Sequence, residues 1–120
     1  MPLVEAYLYS NCSSCRNADA YLRDEGIETS RRDLFKEQLS VDELSALFDR
    51  ANLAPSQVLS KRSRPYAELG LAERQPSDDE IIELMAQYPA LIRRPIIVKD
   101  GRAVLGFNRT AIAELVKERA

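Results

Sequence analysis

The chain has 120 residues, 45% apolar and 30% charged, with 17 basic against 19 acidic side chains and a formal net charge of −2. That is one domain's worth of chain, too apolar for intrinsic disorder and too evenly charged to offer nucleic acid a general basic field. Histidine is absent, which excludes a Ser-His-Asp triad, a Cys-His dyad, an HExxH zinc site and any histidine general base.

Val4 to Tyr9 is short, apolar and aromatic and reads as a buried strand. Ser10-Asn11-Cys12-Ser13-Ser14 breaks that pattern, and a helix follows from about Cys15, with Ala18, Tyr21 and Leu22 on one face and Gly26 as its terminator. Ile27 to Leu34 is a second, more polar strand. Ser40-Val41-Asp42-Glu43 is a capping box, with Leu39 and Leu44 placed as a hydrophobic staple, for a helix reaching about Ala51. Ala54-Pro55 and Pro65-Tyr66 each open a short helix, the second stopped by Gly70. Ser77-Asp78-Asp79-Glu80 is another capping box, for a helix turning Ile81, Leu84, Met85 and Tyr88 inward until Pro89. Ile96-Ile97-Val98 is a buried strand, Asp100-Gly101 a two-residue hairpin turn, and Ala103-Val104-Leu105 the return strand. A last helix carries Ile112, Leu115 and Val116. The order β-α-β, helices, β-β-α demands a parallel opening pair and an antiparallel closing pair, hence one mixed sheet with helices packed on it.

The chemistry sits at Cys12 and Cys15, the only cysteines. Two thiolates cannot complete a four-ligand zinc site, and we expect no metal and no tightly bound cofactor. No apolar run approaches the roughly 18 residues of a membrane span. Met1-Pro2-Leu3-Val4-Glu5 lacks a basic stretch leading into an apolar one, so we expect a cytoplasmic protein with no membrane partner. In that compartment a CxxC pair where a strand meets a helix is more often reactive than structural. Cys12 falls just before the helix, where free N–H groups and the macrodipole favour a thiolate, and Arg16 adds positive charge. Cys15, one turn on, is placed to resolve a mixed disulfide formed at Cys12. Two idle cysteines are the bland alternative.

Arg93-Arg94-Pro95-Ile96 is the second constellation, either a solvated pair flanking a core strand or a guanidinium site for an oxyanion. Asn11 orients an anion or simply makes a turn. Lys61-Arg62-Ser63-Arg64 and Arg31-Arg32 read first as solvated faces. Tyr7, Tyr9, Tyr21 and Tyr88 fit core or half-core positions.

With these residues the sequence resembles the arsenate reductase (ArsC) and Spx superfamily. The resemblance runs from Tyr9-Ser10-Asn11-Cys12-Ser13-Ser14-Cys15-Arg16, through Leu39-Ser40-Val41-Asp42-Glu43-Leu44, to Arg93-Arg94-Pro95-Ile96-Ile97-Val98. It implies an α/β fold: a thioredoxin-like mixed four-stranded sheet with flanking helices and a helical insertion after the second strand. The implied organisation is a single domain over 1–120, its core about 1–38 and 93–120 and its insertion about 39–92. A cis peptide before Pro95, facing the thiol, is also implied.

Pro65-Tyr66-Ala67-Glu68-Leu69-Gly70-Leu71-Ala72-Glu73 looks like the glutaredoxin-linked arsenate reductases, in which a cysteine at the place of Cys12 attacks arsenate and arginines hold the oxyanion. Arg94 matches one such arginine; Ser60 and Phe107 stand where two others would fall. Arg16, Arg62 or Arg64 are candidates to replace them. The Cys12/Cys15 pair, Arg62-Ser63 and Gly106-Phe107-Asn108 look more like Spx, whose members bind the C-terminal domain of the RNA polymerase alpha subunit and use CxxC as a redox switch. Ala54 falls where that branch has a glycine at the polymerase contact.

The expected function is therefore a thiol-dependent arsenate reductase. Cys12 is its nucleophile, Cys15 its resolving thiol and Arg94 its oxyanion stabiliser, with Asn11, Arg16, Arg62, Arg94 and Pro95 binding substrate. Thioredoxin, or glutathione with glutaredoxin, is the expected external reductant. A redox-switched regulator of the Spx kind, contacting polymerase and not nucleic acid directly, is the alternative, and a general disulfide oxidoreductase a third. We expect a monomer.

Overall fold

The computed structural model describes residues 4–117. The chain divides into two compact units, one formed by the chain up to Glu37 and from Arg94 onward, the other by Gln38–Arg93. No helix among the described residues is long and apolar enough to cross a membrane.

The first unit contains strand β1 (Val4–Leu8), helix α1 (Ser13–Asp24), strand β2 (Thr29–Asp33), strands β3 (Ile96–Lys99) and β4 (Arg102–Leu105), and helix α7 (Arg109–Lys117). The sheet order is β2-β1-β3-β4, and only β1 and β2 are parallel. This is the expected thioredoxin-like mixed sheet. Alternation along β1 puts Val4 and Ala6 on one face, where they join Ala18, Tyr21 and Leu22 of α1, Ile97 of β3, and Ile112, Leu115 and Val116 of α7. Each Leu or Ile buried there contributes roughly 1.5–3 kcal/mol. Gly26 follows α1 with φ 68°, a conformation that disfavours a Cβ. Strand β2 starts at Thr29 and not at Ile27, whose half-buried side chain packs against the core instead. Asp100 and Gly101 take φ 50° and 75° in the hairpin turn, both positive as a type I′ turn requires. Lys99 is buried, and its Nζ donates to the Val116 carbonyl at 3.1 Å near the end of α7.

The second unit is helical: α2 (Val41–Ala51), α3 (Pro55–Val58), α4 (Arg64–Glu68), α5 (Leu71–Arg74), α6 (Asp78–Gln87) and a 3₁₀ turn over Pro89–Leu91. The Ser40 box is complete: Ser40 Oγ accepts from the Glu43 N–H, and Glu43 Oε1 accepts from the Ser40 N–H, both at 3.1 Å. The Ser77 box is half formed. Ser77 Oγ accepts from the Glu80 N–H at 3.3 Å, but the Glu80 carboxylate pairs with Arg74. An arginine in reach offers that carboxylate a charged donor in place of the neutral N–H. The inward face of α6 also differs from expectation: Ile82 is buried with Ile81 and Met85, Leu84 is half-buried, and Tyr88 is exposed beyond the helix end. The stop at Gln87, two residues before Pro89, rotates Tyr88 off the apolar stripe. Helix α5, which begins after Gly70, has no counterpart in the sequence reading.

Candidate functional site

Three strand ends meet at one end of the first unit's sheet. Parallel pairing sets Leu8 beside Asp33, so the chain leaves β1 and β2 side by side. Antiparallel pairing sets Tyr7 opposite Ile96, so β3 enters at that same end. The segment after β1 carries Cys12, the segment after β2 carries Phe35, and the residues before β3 are Arg94 and Pro95. The sheet thus brings together residues far apart in sequence.

Cys12 is the N-cap of α1, extended at φ −103° and ψ 122°. Its N–H is held by the Tyr9 carbonyl at 3.0 Å, and its carbonyl accepts the Arg16 N–H at 2.9 Å. Its Sγ accepts from the Cys15 N–H at 3.4 Å, the bond that an N-cap side chain makes. Both cysteines are free thiols, Cys12 partly exposed and Cys15 only 2% exposed.

Their ionisation is pushed apart. Partial burial works against a Cys12 thiolate, but the Cys15 thiol and N–H donate to its sulfur and Arg94 adds a hydrogen bond and its charge; the balance holds Cys12 below the ordinary thiol value. Burial pushes Cys15 up to about 12, and its hydrogen bond to Cys12 and the Cys12 charge act the same way. Of the two sulfurs, the partly exposed one at Cys12 is the more readily ionised, and the buried Cys15 thiol donates a hydrogen bond to it.

Arg94 is half-buried and joined to the buried Pro95 by a cis peptide bond, as the resemblance implies. The Pro95 carbonyl accepts the Gly106 N–H at 2.8 Å, which ties this segment to the end of β4. The Arg94 guanidinium lies over two rings, 5.5 Å from the Tyr9 centroid and 5.4 Å from that of Phe35.

Of the remaining expected site residues, Asn11 is exposed and its amide donates to Tyr9 Oη at 3.4 Å. Arg16 is exposed and donates to the Ser10 carbonyl at 3.2 Å, folded back on its own loop. Arg62 is exposed in the Gln38–Arg93 unit, on the turn leading to α4. A cleft of about 490 Å³ opens beside Cys15, walled in part by Arg16, Asp19, Arg31 and Arg32. Those charges are engaged within the wall: Arg31 pairs with Asp19, and Arg32 Nε donates to the Glu37 carbonyl at 2.9 Å.

Phe35 is not among the residues the sequence singles out, and Tyr9 fits there a core or half-core position. A Phe just past a strand-ending Asp, and a Tyr just before the thiol loop, are the signals available; neither reveals the partner without the strand order.

Residues 7–115 match the ArsC family. The chain belongs to the ArsC family. Among ArsC-like relatives, the regulatory protein MgsR of Bacillus subtilis is 31% identical over 113 residues, covering 94% of this chain and 90% of MgsR. The global transcriptional regulator Spx of Bacillus subtilis is 30% identical over 118 residues, covering 98% and 89%. An arsenate reductase from Vibrio cholerae superposes with a TM-score of 0.83 at 32% identity, covering 93% of this chain and 96% of that one. The ArsC-family framework therefore carries relatives named as enzymes and as regulators, and the function of this chain rests on its own site.

Proposed function

We propose that this chain is a thiol-dependent arsenate reductase acting through Cys12. The observation that carries the reading is the partly exposed Cys12 sulfur, its thiolate favoured over an ordinary thiol's, with the Arg94 cation beside it and the buried Cys15 thiol one helical turn away. A thiolate alone suits any disulfide exchange; a guanidinium beside it also suits a tetrahedral oxyanion.

The Cys12 thiolate attacks arsenic(V), an S–As bond forms, and one arsenate oxygen leaves as water after protonation. Arg94 neutralises charge on the remaining oxygens, with Asn11 and Arg16 as further candidate binders and Pro95 fixing the approach of Arg94. Once Cys12 is bonded to arsenic its negative charge is gone. Two of the causes that keep Cys15 protonated then disappear, the hydrogen bond to Cys12 and repulsion by its charge. Cys15 loses its proton and attacks the Cys12 sulfur. The S–As electron pair passes to arsenic, giving arsenite and a Cys12–Cys15 disulfide. Two electrons from thioredoxin, or from glutathione with glutaredoxin, restore the dithiol in a reducing cytoplasm.

The test is arsenate-dependent NADPH oxidation, coupled separately to each reductant, with Cys12→Ser and Cys15→Ser alongside. Turnover that requires Cys12 supports the enzyme, and the productive couple identifies the reductant. A fully active Cys12→Ser protein refutes it.

A second reading is favoured by the regulators among the relatives, which match nearly the full chain. Here the Cys12–Cys15 pair sets the state of a regulator that contacts the C-terminal domain of the RNA polymerase alpha subunit. Binding of that domain in one redox state only, with no arsenate turnover, would favour it; no binding in either state removes it.

A further inference from the structure

Arg94 reaches the thiol from the end of a chain segment, and its long side chain has rotamer freedom to lose. Two aromatic rings lie against it. The Tyr9 and Phe35 rings stack with centroids 3.9 Å apart and planes 23° from parallel, and the guanidinium lies over both. The two rings come from different strand ends and are held in register by one carboxylate. Asp33 Oδ1 accepts from the Phe35 N–H at 2.9 Å and the Lys36 N–H at 3.0 Å. Asp33 also accepts from the backbone of Ser10, next to Tyr9. The Leu34 N–H donates to the Leu8 carbonyl at 2.8 Å, closing the same junction.

We infer that the Tyr9–Phe35 stack is the positioning element for Arg94, a two-ring shelf, clamped by Asp33, that holds the guanidinium toward Cys12. In this role both rings act through Arg94. The physical basis is cation–π attraction together with the planar match between guanidinium and ring, which an aliphatic side chain of similar volume cannot supply. The inference rests on the proposed service of Arg94 to Cys12 and names what makes that service possible. It holds whether the electrophile is arsenate or a disulfide.

The readout is the pH profile of Cys12 alkylation by iodoacetamide, located by mass spectrometry in the reduced full-length protein, with thermal melts for each variant. Phe35→Leu should slow alkylation at pH 7 by about two- to fivefold, the range expected for one cation–π contact. Phe35→Tyr should restore it. Tyr9→Leu should behave like Phe35→Leu, and Tyr9→Phe like the wild type. Arg94→Met should slow alkylation at least as much, and Phe35→Leu should add nothing in the Arg94→Met background. An effect of Phe35→Leu that persists in that background overturns the inference, because the ring then acts without Arg94. So does a normal profile in both leucine variants while Arg94→Met is slowed, a result that leaves the role of Arg94 standing. A normal profile for Arg94→Met removes both. Should Phe35→Leu fail to fold, Tyr9→Leu decides the question by the same comparison.

Discussion

The buried Cys15 thiol makes the protein sensitive to alkali, and the size of the effect follows from its environment. An unfolded cysteine loses its proton near pH 8.5, whereas folded Cys15 holds it to about pH 12. A proton held more tightly in the folded state leaves stability unchanged below about pH 8.5. From there upward the fold weakens, because the unfolded chain ionises first. The full effect is roughly 4–5 kcal/mol, reached as the pH approaches 12, and at pH 10 it is about 2 kcal/mol. Cys12 titrates in the opposite sense: its depressed value stabilises the fold above the ordinary thiol range, and that contribution fades as the pH falls through the folded value. The clean comparison is therefore Cys12→Ser against Cys12→Ser/Cys15→Ala, which removes the Cys12 titration and keeps burial, the largest cause of the Cys15 shift. Urea unfolding under argon at pH 7 and pH 10 measures both. At pH 7 the thiol should be the more stable by about 1 kcal/mol of lost packing. At pH 10 the order should reverse, with alanine ahead by about 1 kcal/mol. Parallel stabilities at the two pH values would refute the reasoning, because Cys15 would then titrate like an exposed thiol.

Cys12→Ser should be inactive yet no less stable than wild type, since a serine hydroxyl is a better N-cap acceptor than a thiol; Cys12→Ala should melt about 3–5 °C below Cys12→Ser in a thermal scan. Arg94→Met should lower kcat/KM for arsenate by about 30- to 150-fold, the loss expected for one charge-assisted contact, measured in the coupled assay. Ser40→Ala should destabilise by about 1 kcal/mol in urea titration, because it removes a complete capping box. Glu80→Gln should change stability by less than about 0.5 kcal/mol, because its carboxylate partner is a surface arginine.

Local rules carried most of the fold. Ser40 with Glu43, Asp100 with Gly101, and Gly26 after α1 each fix a boundary through chemistry within a few residues, and all three stand where the sequence puts them. The two cysteines were legible for the same reason: their spacing and the helix start that follows determine cap and first turn. What escaped depends on competition or on long range. Glu80 had two donors to choose between, and the arginine six residues upstream took it. Periodicity places Tyr88 on a helix that ends one residue too soon. Phe35 and Arg94 meet only because β1 lies between β2 and β3, and no window of sequence contains that order.

The central place of β1 also governs when the chemistry exists. Tyr7 pairs with Ile96, 89 residues further along the chain, so closing that loop costs about 4 kcal/mol of entropy beyond the fixed cost. Until that strand pair forms, the two cysteines lie in a chain without Arg94 beside them. The contribution of Arg94 to the Cys12 environment is thus a property of the finished fold. A newly made or partly opened chain exposes two ordinary cysteines, and alkylation of Cys12 should slow to the rate of an unstructured peptide in step with urea unfolding.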